Sequence, residues 1–166
     1  MNNKDSINIV VELLKAHNIR RVVISPGGTN VFFVKTVQND PFFDCYSVVD
    51  ERSAMYFAIG LYLQTGEPIA TSCTSAQATR NYIPGLTEAY YKNVPILAIT
   101  MSKHPRFIGQ EYMQAPNQTS LPKDSVKKSY MLPYLSDDND YLHCMRLVNE
   151  AILELTHNGY KMRTGI

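Results

Sequence analysis

The feature that most constrains this chain is an alternation of short β-branched runs with helical-period segments, kept from one end to the other. Residues 5 to 18 set Ile7, Val10, Val11, Leu14 and Ala16 near one helical face, with Asp5 or Ser6 as the expected cap. Arg21-Val22-Val23-Ile24 reads as a strand, stopped by Ser25-Pro26-Gly27-Gly28. Residues 29 to 39 predict a helix, 42 to 49 a strand, and 50 to 64 a helix closed by Gly66. Residues 68 to 73 predict a third strand. Residues 76 to 92 predict a helix in which Pro84 and Gly85 announce a kink or close packing, and 94 to 100 a fourth strand. Residues 102 to 125, with Pro105, Pro116 and Pro122, predict a long loop, and such loops in compact domains are usually functional. Residues 128 to 132 predict a fifth strand. Residues 138 to 157 predict a last helix with Leu142, Met145, Leu147, Val148, Ile152 and Leu155 on its apolar face.

Strands that alternate with helices require right-handed crossovers, hence an α/β fold with a mainly parallel sheet between two helical layers. Ligands of such sheets bind beyond the C-terminal ends of the strands. Three unusual turns fall there: Ser25 to Gly28, Asp50-Glu51-Arg52, and Thr74-Ser75-Ala76. No internal repeat or linker divides the 166 residues, so 1 to 166 is expected to be one domain. Thr164-Gly165-Ile166 follows the last helix as the start of a further strand would, and the chain is expected to be a fragment of a longer, multidomain protein. Sixteen basic residues against 15 acidic ones give no reason to expect nucleic acid or a membrane surface as partner. No window nears the roughly 18 apolar residues of a membrane span, and the N-terminus lacks the pattern of a signal peptide. Cys45, Cys73 and Cys144 form neither a metal spacing nor a disulfide framework, which points to reduced thiols in a cytoplasmic protein.

Val48-Val49-Asp50-Glu51-Arg52 carries a strand straight into a helix with two carboxylates at the junction. Most such pairs only cap the helix and favour its positive end. Here the helix that follows, Ala54 to Leu61, is apolar on nearly all sides, so it is expected to be buried and Glu51 with it. A buried carboxylate needs a partner, which Arg52 or a ligand would supply. Thr74-Ser75 is a helix cap or a hydroxyl-lined loop for a planar polar ligand. Ser25-Pro26-Gly27-Gly28-Thr29-Asn30 is a turn that could hold an anion, but it is neither a P-loop nor a dinucleotide fingerprint.

The order of these motifs carries more than any one of them. Ser25-Pro26-Gly27, Asp50-Glu51-Arg52, Thr74-Ser75, Asn81-Tyr82 with Pro84, Glu88-Ala89, and Ala115-Pro116-Asn117-Gln118 resemble the N-terminal, pyrimidine-binding (PYR) domain of thiamine-diphosphate enzymes. Within them the nearest likeness is to the 2-succinyl-5-enolpyruvyl-6-hydroxy-3-cyclohexene-1-carboxylate synthases, over nearly the whole chain. The resemblance implies that Glu51 hydrogen-bonds N1′ of the cofactor's aminopyrimidine and is the catalytic residue. A carboxylate in a dry site favours protonation of N1′ and so the imino form that can take the thiazolium proton. It also places Thr74, Ser75, Asn81 and Gln118 at the cofactor, Asn81 being equally a structural residue. Ser25, Gly27, Gly28, Lys103 and Asn117 fall at the substrate, with no metal ligand in this chain.

The resemblance further implies thiamine diphosphate and Mg²⁺, held by a diphosphate-binding domain of the same protein or of a partner subunit. A homodimer or tetramer and a 2-oxo acid substrate follow in the same way. Two departures bear on that substrate. Gly28-Thr29 stands where the family has Ser-Arg, and Ser102-Lys103-His104-Pro105 where it has Asp-Arg-Pro-Pro. Arginine and lysine are not equivalent at carboxylate sites, so a 2-oxo acid other than the menaquinone precursor is expected. The competing expectations are the small subunit of a split decarboxylase and a non-catalytic α/β binding or assembly module.

Overall fold

The computed structural model describes residues 4–75 and 77–156. Ala76 of the third turn, His157 at the end of the expected last helix and Thr164–Ile166 lie outside the described residues. The elements are α1 (Lys4–Ala16), β1 (Arg21–Ile24), α2 (Val31–Asn39), β2 (Asp44–Ser47), α3 (Glu51–Thr65) and β3 (Ile69–Cys73). They continue with α4 (Gln77–Asn81), α5 (Ile83–Lys92), β4 (Ile96–Thr100), a 3₁₀ turn at Pro105–Phe107 and α6 (Asp138–Thr156).

The four strands form one sheet in the order β2-β1-β3-β4, all parallel, with Val23 level with Tyr46 on one side and Thr71 on the other. Two apolar layers enclose it. On one face Leu14, Phe33, Val37, Cys144, Val148 and Ile152 bring α1, α2 and α6 against the sheet. On the other Met55, Ala58, Ala78, Tyr82, Leu86 and Ala89 bring α3, α4 and α5 against it. Each large apolar side chain buried in this way contributes about 1.5–3 kcal/mol before entropy is counted. The fold is the expected three-layer α/β sandwich.

Local chemistry fixes the element ends. Asp50 accepts a hydrogen bond from the Ser53 N–H at 2.8 Å and starts α3. Gly66, at φ 71°, closes α3 with its N–H on the Tyr62 carbonyl at 2.7 Å. The expected helix over 76 to 92 breaks at Tyr82 into α4 and α5, just before Pro84. A Cβ on Gly85 would stand 2.5 Å from Cβ of Met55, so its glycine is what lets α5 lie directly on α3.

Several expectations are corrected. Residues 128 to 132 form no strand, because among the described residues no strand lies beside them to share backbone hydrogen bonds. α1 already includes Asp5 and Ser6, so neither is its cap. α3 is not buried all round. It packs by Ala54, Met55, Ala58 and Ile59, and leaves Tyr56, Phe57 and Leu63 exposed, because helices cover it only on its sheet side. Leu142 of α6 is exposed, and Cys144, two residues on and on the other side of the helix, takes the buried place. The three cysteines are free thiols. No helix among the described residues is long and apolar enough to cross a membrane.

Candidate functional site

Because every strand runs the same way, the turns after β1, β2, β3 and β4 gather at one end of the sheet. From β1 the chain moves out to β2 through α2 on one face. From β2 it returns over the other face through α3 to β3. The loops after β1 and β3 therefore part to opposite faces and leave a crevice, which is where ligands of open α/β sheets bind.

The floor of that crevice is held by Asn30, whose side chain is fully buried. Its Oδ1 accepts from the Gly27 N–H at 2.9 Å, and its Nδ2 donates to the Ser25 carbonyl at 3.0 Å and to Ser72 Oγ at 3.3 Å. Ser25 in turn donates through Oγ to the Val48 carbonyl at 2.9 Å and through its N–H to the Ser72 carbonyl. One turn is thereby tied to the exits of β2 and β3. A Cβ on Gly27 would stand 2.2 Å from Cγ2 of Thr74, so the first and third motif turns touch only because residue 27 is glycine. Gly28 stands in open space.

Glu51 is half-buried in the first turn of α3. Its Oε2 accepts from Asn81 Nδ2 at 3.3 Å, at the end of α4. Arg52, the expected alternative partner, is exposed, because it falls on the outward face of α3. The half-burial corrects the expectation of a fully buried carboxylate and has the same origin as the exposed face of its helix. Glu51 thus stands in the first turn of the helix that follows β2, at the strand-exit end of the sheet, and its charge adds a little to the rise of the Cys73 thiol at the end of β3. Burial, first of all, pushes the Cys73 thiol up to about 12. Burial also raises the Tyr82 phenol well above its ordinary value. The Tyr82 hydroxyl lies among Thr71, Cys73 and Ser25 yet makes no well-formed hydrogen bond.

The long segment after β4 roofs this end of the sheet. Ser75, buried, donates through Oγ to the Gln114 carbonyl at 3.3 Å. Thr79 donates to Gln118 Oε1 at 3.1 Å, and Gln118, only 8% exposed, keeps a buried Nε2 without a partner. Arg80 clamps the carbonyls of Asn117 and Ser120 at 2.8 and 2.9 Å. Asn117 is exposed and folds its Oδ1 back onto the N–H and hydroxyl of Thr119, closing a local turn. Lys103 lies 5.3 Å from the centre of the Tyr112 ring, and Thr29 donates to the Met101 carbonyl at 3.5 Å. Gly28, Thr29, Lys103, His104 and Gln118 share a cavity of about 1020 Å³ that runs down the outer edge of β4.

The structure thus brings together Ser25, Gly27 and Thr74, separately Glu51 and Asn81, and separately Gly28, Lys103 and Gln118. The side chain of Asn117 turns to its own loop. Three residues with structural parts at this site drew no such role in the sequence: Asn30, Thr79 and Arg80. An asparagine before a helix reads as a cap, and only the fold shows that Asn30 reaches backwards instead. Among the described residues no three His, Cys, Asp or Glu side chains could hold a metal ion.

The 2-succinyl-5-enolpyruvyl-6-hydroxy-3-cyclohexene-1-carboxylate synthases of Bacteroides thetaiotaomicron and Phocaeicola vulgatus are each 45% identical to this chain over 157 residues, 95% of the chain and 28% of their own length. The chain therefore spans under a third of the relatives it matches. Among solved structures, the thiamine diphosphate-dependent 4-hydroxybenzoylformate decarboxylase of Rhodococcus jostii superposes with a TM-score of 0.75 at 22% identity, over 96% of this chain and 28% of that one. At that identity the likeness shows the fold alone. The family described as thiamine pyrophosphate enzyme, N-terminal TPP binding domain, matches residues 5–121, and the chain belongs to it.

Proposed function

We propose that this chain is the pyrimidine-binding part of a thiamine-diphosphate-dependent enzyme that acts on a 2-oxo acid, and that Glu51 is its catalytic residue. The observation that carries the reading is the Glu51 carboxylate in the first turn of α3, at the strand-exit end of the sheet, steadied by Asn81 and with acceptor capacity left on its second oxygen. A half-buried carboxylate of this kind suits a protonated ring nitrogen, so the residues present fit the cofactor's aminopyrimidine. When bound, thiamine diphosphate supplies a carbon nucleophile for the 2-oxo carbonyl and a sink for the electrons that decarboxylation leaves.

Glu51 would hold a proton at N1′ of the pyrimidine, and Asn81 would fix the carboxylate's direction. Thr74 and Ser75 would form the wall of the crevice, with Ser75 pinning the roof through Gln114. The free Nε2 of Gln118 would donate to an acceptor on cofactor or substrate, and Ser25, Gly27, Gly28 and Asn117 would border the substrate. Lys103 would meet its carboxylate. With Thr29 turned to the Met101 carbonyl, that position offers no cation, which supports a substrate other than that of the related synthases. The diphosphate and Mg²⁺ would be held by another domain, of this protein or of a partner subunit in a dimer or tetramer, in the cytoplasm.

The test is Glu51→Gln in the protein at its natural length, assayed with thiamine diphosphate, Mg²⁺ and a panel of 2-oxo acids. The amide removes the charge that favours a protonated N1′, and a loss of about 100-fold or more in turnover is expected with the fold intact. Turnover near that of the unaltered protein refutes the assignment.

A further inference from the structure

His104 lies next to Lys103 in the wall of the cavity, just past the exit of β4. Its ring is fixed on three sides. Nδ1 accepts from the Arg106 N–H at 3.1 Å and caps the 3₁₀ turn at Pro105–Phe107. The Tyr134 ring covers one face, with ring centres 4.4 Å apart, and the Phe107 ring stands edge-on at 6.4 Å. A nitrogen that accepts carries no proton, so the neutral ring bears its proton on Nε2. That N–H points away from the turn, and it makes no hydrogen bond among the described residues.

Lys103 is held by the same group of rings. Its ammonium stands 5.3 Å from the centre of the Tyr112 ring, and Tyr112 stacks on Phe107 at 4.4 Å. No ion pair among the described residues includes Lys103. No Asp, Glu or Arg stands among the described residues that line the cavity. One cation and one neutral N–H thus lie side by side in the wall. Aromatic contacts order both, and neither meets an acceptor. Their match is a group with negative charge and two acceptor oxygens, and a carboxylate has both.

We propose that Lys103 and His104 form a two-point clamp for one carboxylate of the substrate, with the ammonium on one oxygen and the Nε2–H on the other. His104 is then a specificity-determining residue. The inference rests on the reading of Lys103 as substrate-facing and is independent of the part given to Glu51. Its physical reason lies in the difference between the two cations. Arginine presents parallel N–H groups from one planar fork, whereas lysine is a point charge on a flexible stem. Lys103 alone would hold a carboxylate by charge and leave it free to turn. A second donor, locked by its cap and its ring contacts, sets the direction at little further cost in ordering. Where the family has Arg-Pro, this chain has Lys103-His104. The fork is lost at one position, and a donor that proline lacks is gained at the next.

Two variants separate the donor from the cap, in the protein at its natural length. In His104→Asn the side-chain oxygen takes the place of Nδ1 and keeps the turn, while the reach of Nε2 is lost. In His104→Gln the amide N–H reaches the place of Nε2, while the cap is lost. The probe is lactate, which keeps the carboxylate of a 2-oxo acid and has no carbonyl to turn over, with lactamide as its neutral counterpart. Both are titrated into protein carrying isotope-labelled histidine and loaded with thiamine diphosphate and Mg²⁺. Lactate should move the Nε2 resonance of His104, identified by its absence from the variants, and lactamide should leave it in place. Affinity for lactate is expected to fall about 10-fold in His104→Asn and to return to within about 3-fold in His104→Gln. The opposite order, or an equal loss in both variants, would make His104 a cap alone and overturns the clamp. So does a resonance that lactate leaves unmoved or that lactamide moves equally. Because binding is read and not turnover, the clamp can fail while Glu51→Gln still abolishes activity, and it can stand while that variant stays active.

Discussion

Two regions cover the strand ends, and they are held in different ways. The short turns after β1, β2 and β3 are knitted by hydrogen bonds of the backbone and of Asn30, Ser25 and Asp50, those of Asn30 and Ser25 being buried or part-buried. The segment from Met101 to Leu135 has no strand or α-helix of its own. It is pinned from outside, by Ser75, Thr79 and Arg80 reaching up to Gln114, Asn117, Gln118 and Ser120. The difference teaches where rigidity sits. The layer that presents Glu51 is part of the sheet's own hydrogen bonding, whereas the layer that presents Lys103 and Gln118 can open without unmaking the fold.

The largest effect is expected at Asn30. Asn30→Ala leaves the Gly27 N–H, the Ser25 carbonyl and the Ser72 hydroxyl without their partner in a buried site. Each such group costs about 1–3 kcal/mol, so a loss near the middle of that range or above is expected in denaturant unfolding. A loss under about 0.5 kcal/mol, the range of ordinary surface changes, would mean that the turn layer is not what stiffens this end of the sheet.

Gly27→Ala comes next. Its new methyl meets Thr74 Cγ2, and overpacking of this kind costs about 1–3 kcal/mol. Thr74→Ser removes that Cγ2, so the double variant should regain most of the loss in a double-mutant cycle. If the two losses simply add, the turns do not meet as described.

The same contrast explains what could be read from the sequence. Asp50 as cap, Gly66 as helix stop, and the β-branched runs of β1, β3 and β4 are local signals, and each sits where its chemistry requires. Glu51 was legible as an acid at a strand-to-helix junction. Its partner was not, because Asn81 is 30 residues away and only the crossing of α3 over the sheet brings them together. The strand expected over 128 to 132 has the right residues, but strand structure needs a neighbour, which no local pattern supplies. The outer face of α3 failed in the opposite sense. Tyr56 and Phe57 read as core, yet both are exposed on the side of the helix turned from the sheet.

Arg80→Ala should separate the two regions. It removes both clamps on the Asn117 and Ser120 carbonyls, yet the residue is exposed, so global stability should change by less than about 0.5 kcal/mol. Limited proteolysis between Gln114 and Lys123 should quicken by about tenfold while the rest of the chain stays resistant. Unchanged cleavage there would show that the roof is held by something other than Arg80.

The smallest effect is expected at Cys73, which lies beneath the turn layer. With its thiol pushed up to about 12, only about 1 in 10,000 molecules carries the reactive thiolate at pH 8. A thiol reagent should therefore leave Cys73 unlabelled in the native protein, and more slowly labelled than the half-buried Cys45. Labelling of Cys73 should follow Asn30→Ala and be unaltered by Arg80→Ala, since only the first variant opens the layer above it. The same shift has a sign in stability. The protonated thiol is favoured in the folded state, so its contribution is whole below pH 9.0 and is lost as the pH rises toward about 12. Cys73→Ala should flatten that alkaline decline relative to the unaltered protein, whatever it costs in packing. A decline of the same slope would place the titrating group elsewhere, and rapid labelling in the native state would show that the turn layer opens as readily as the roof.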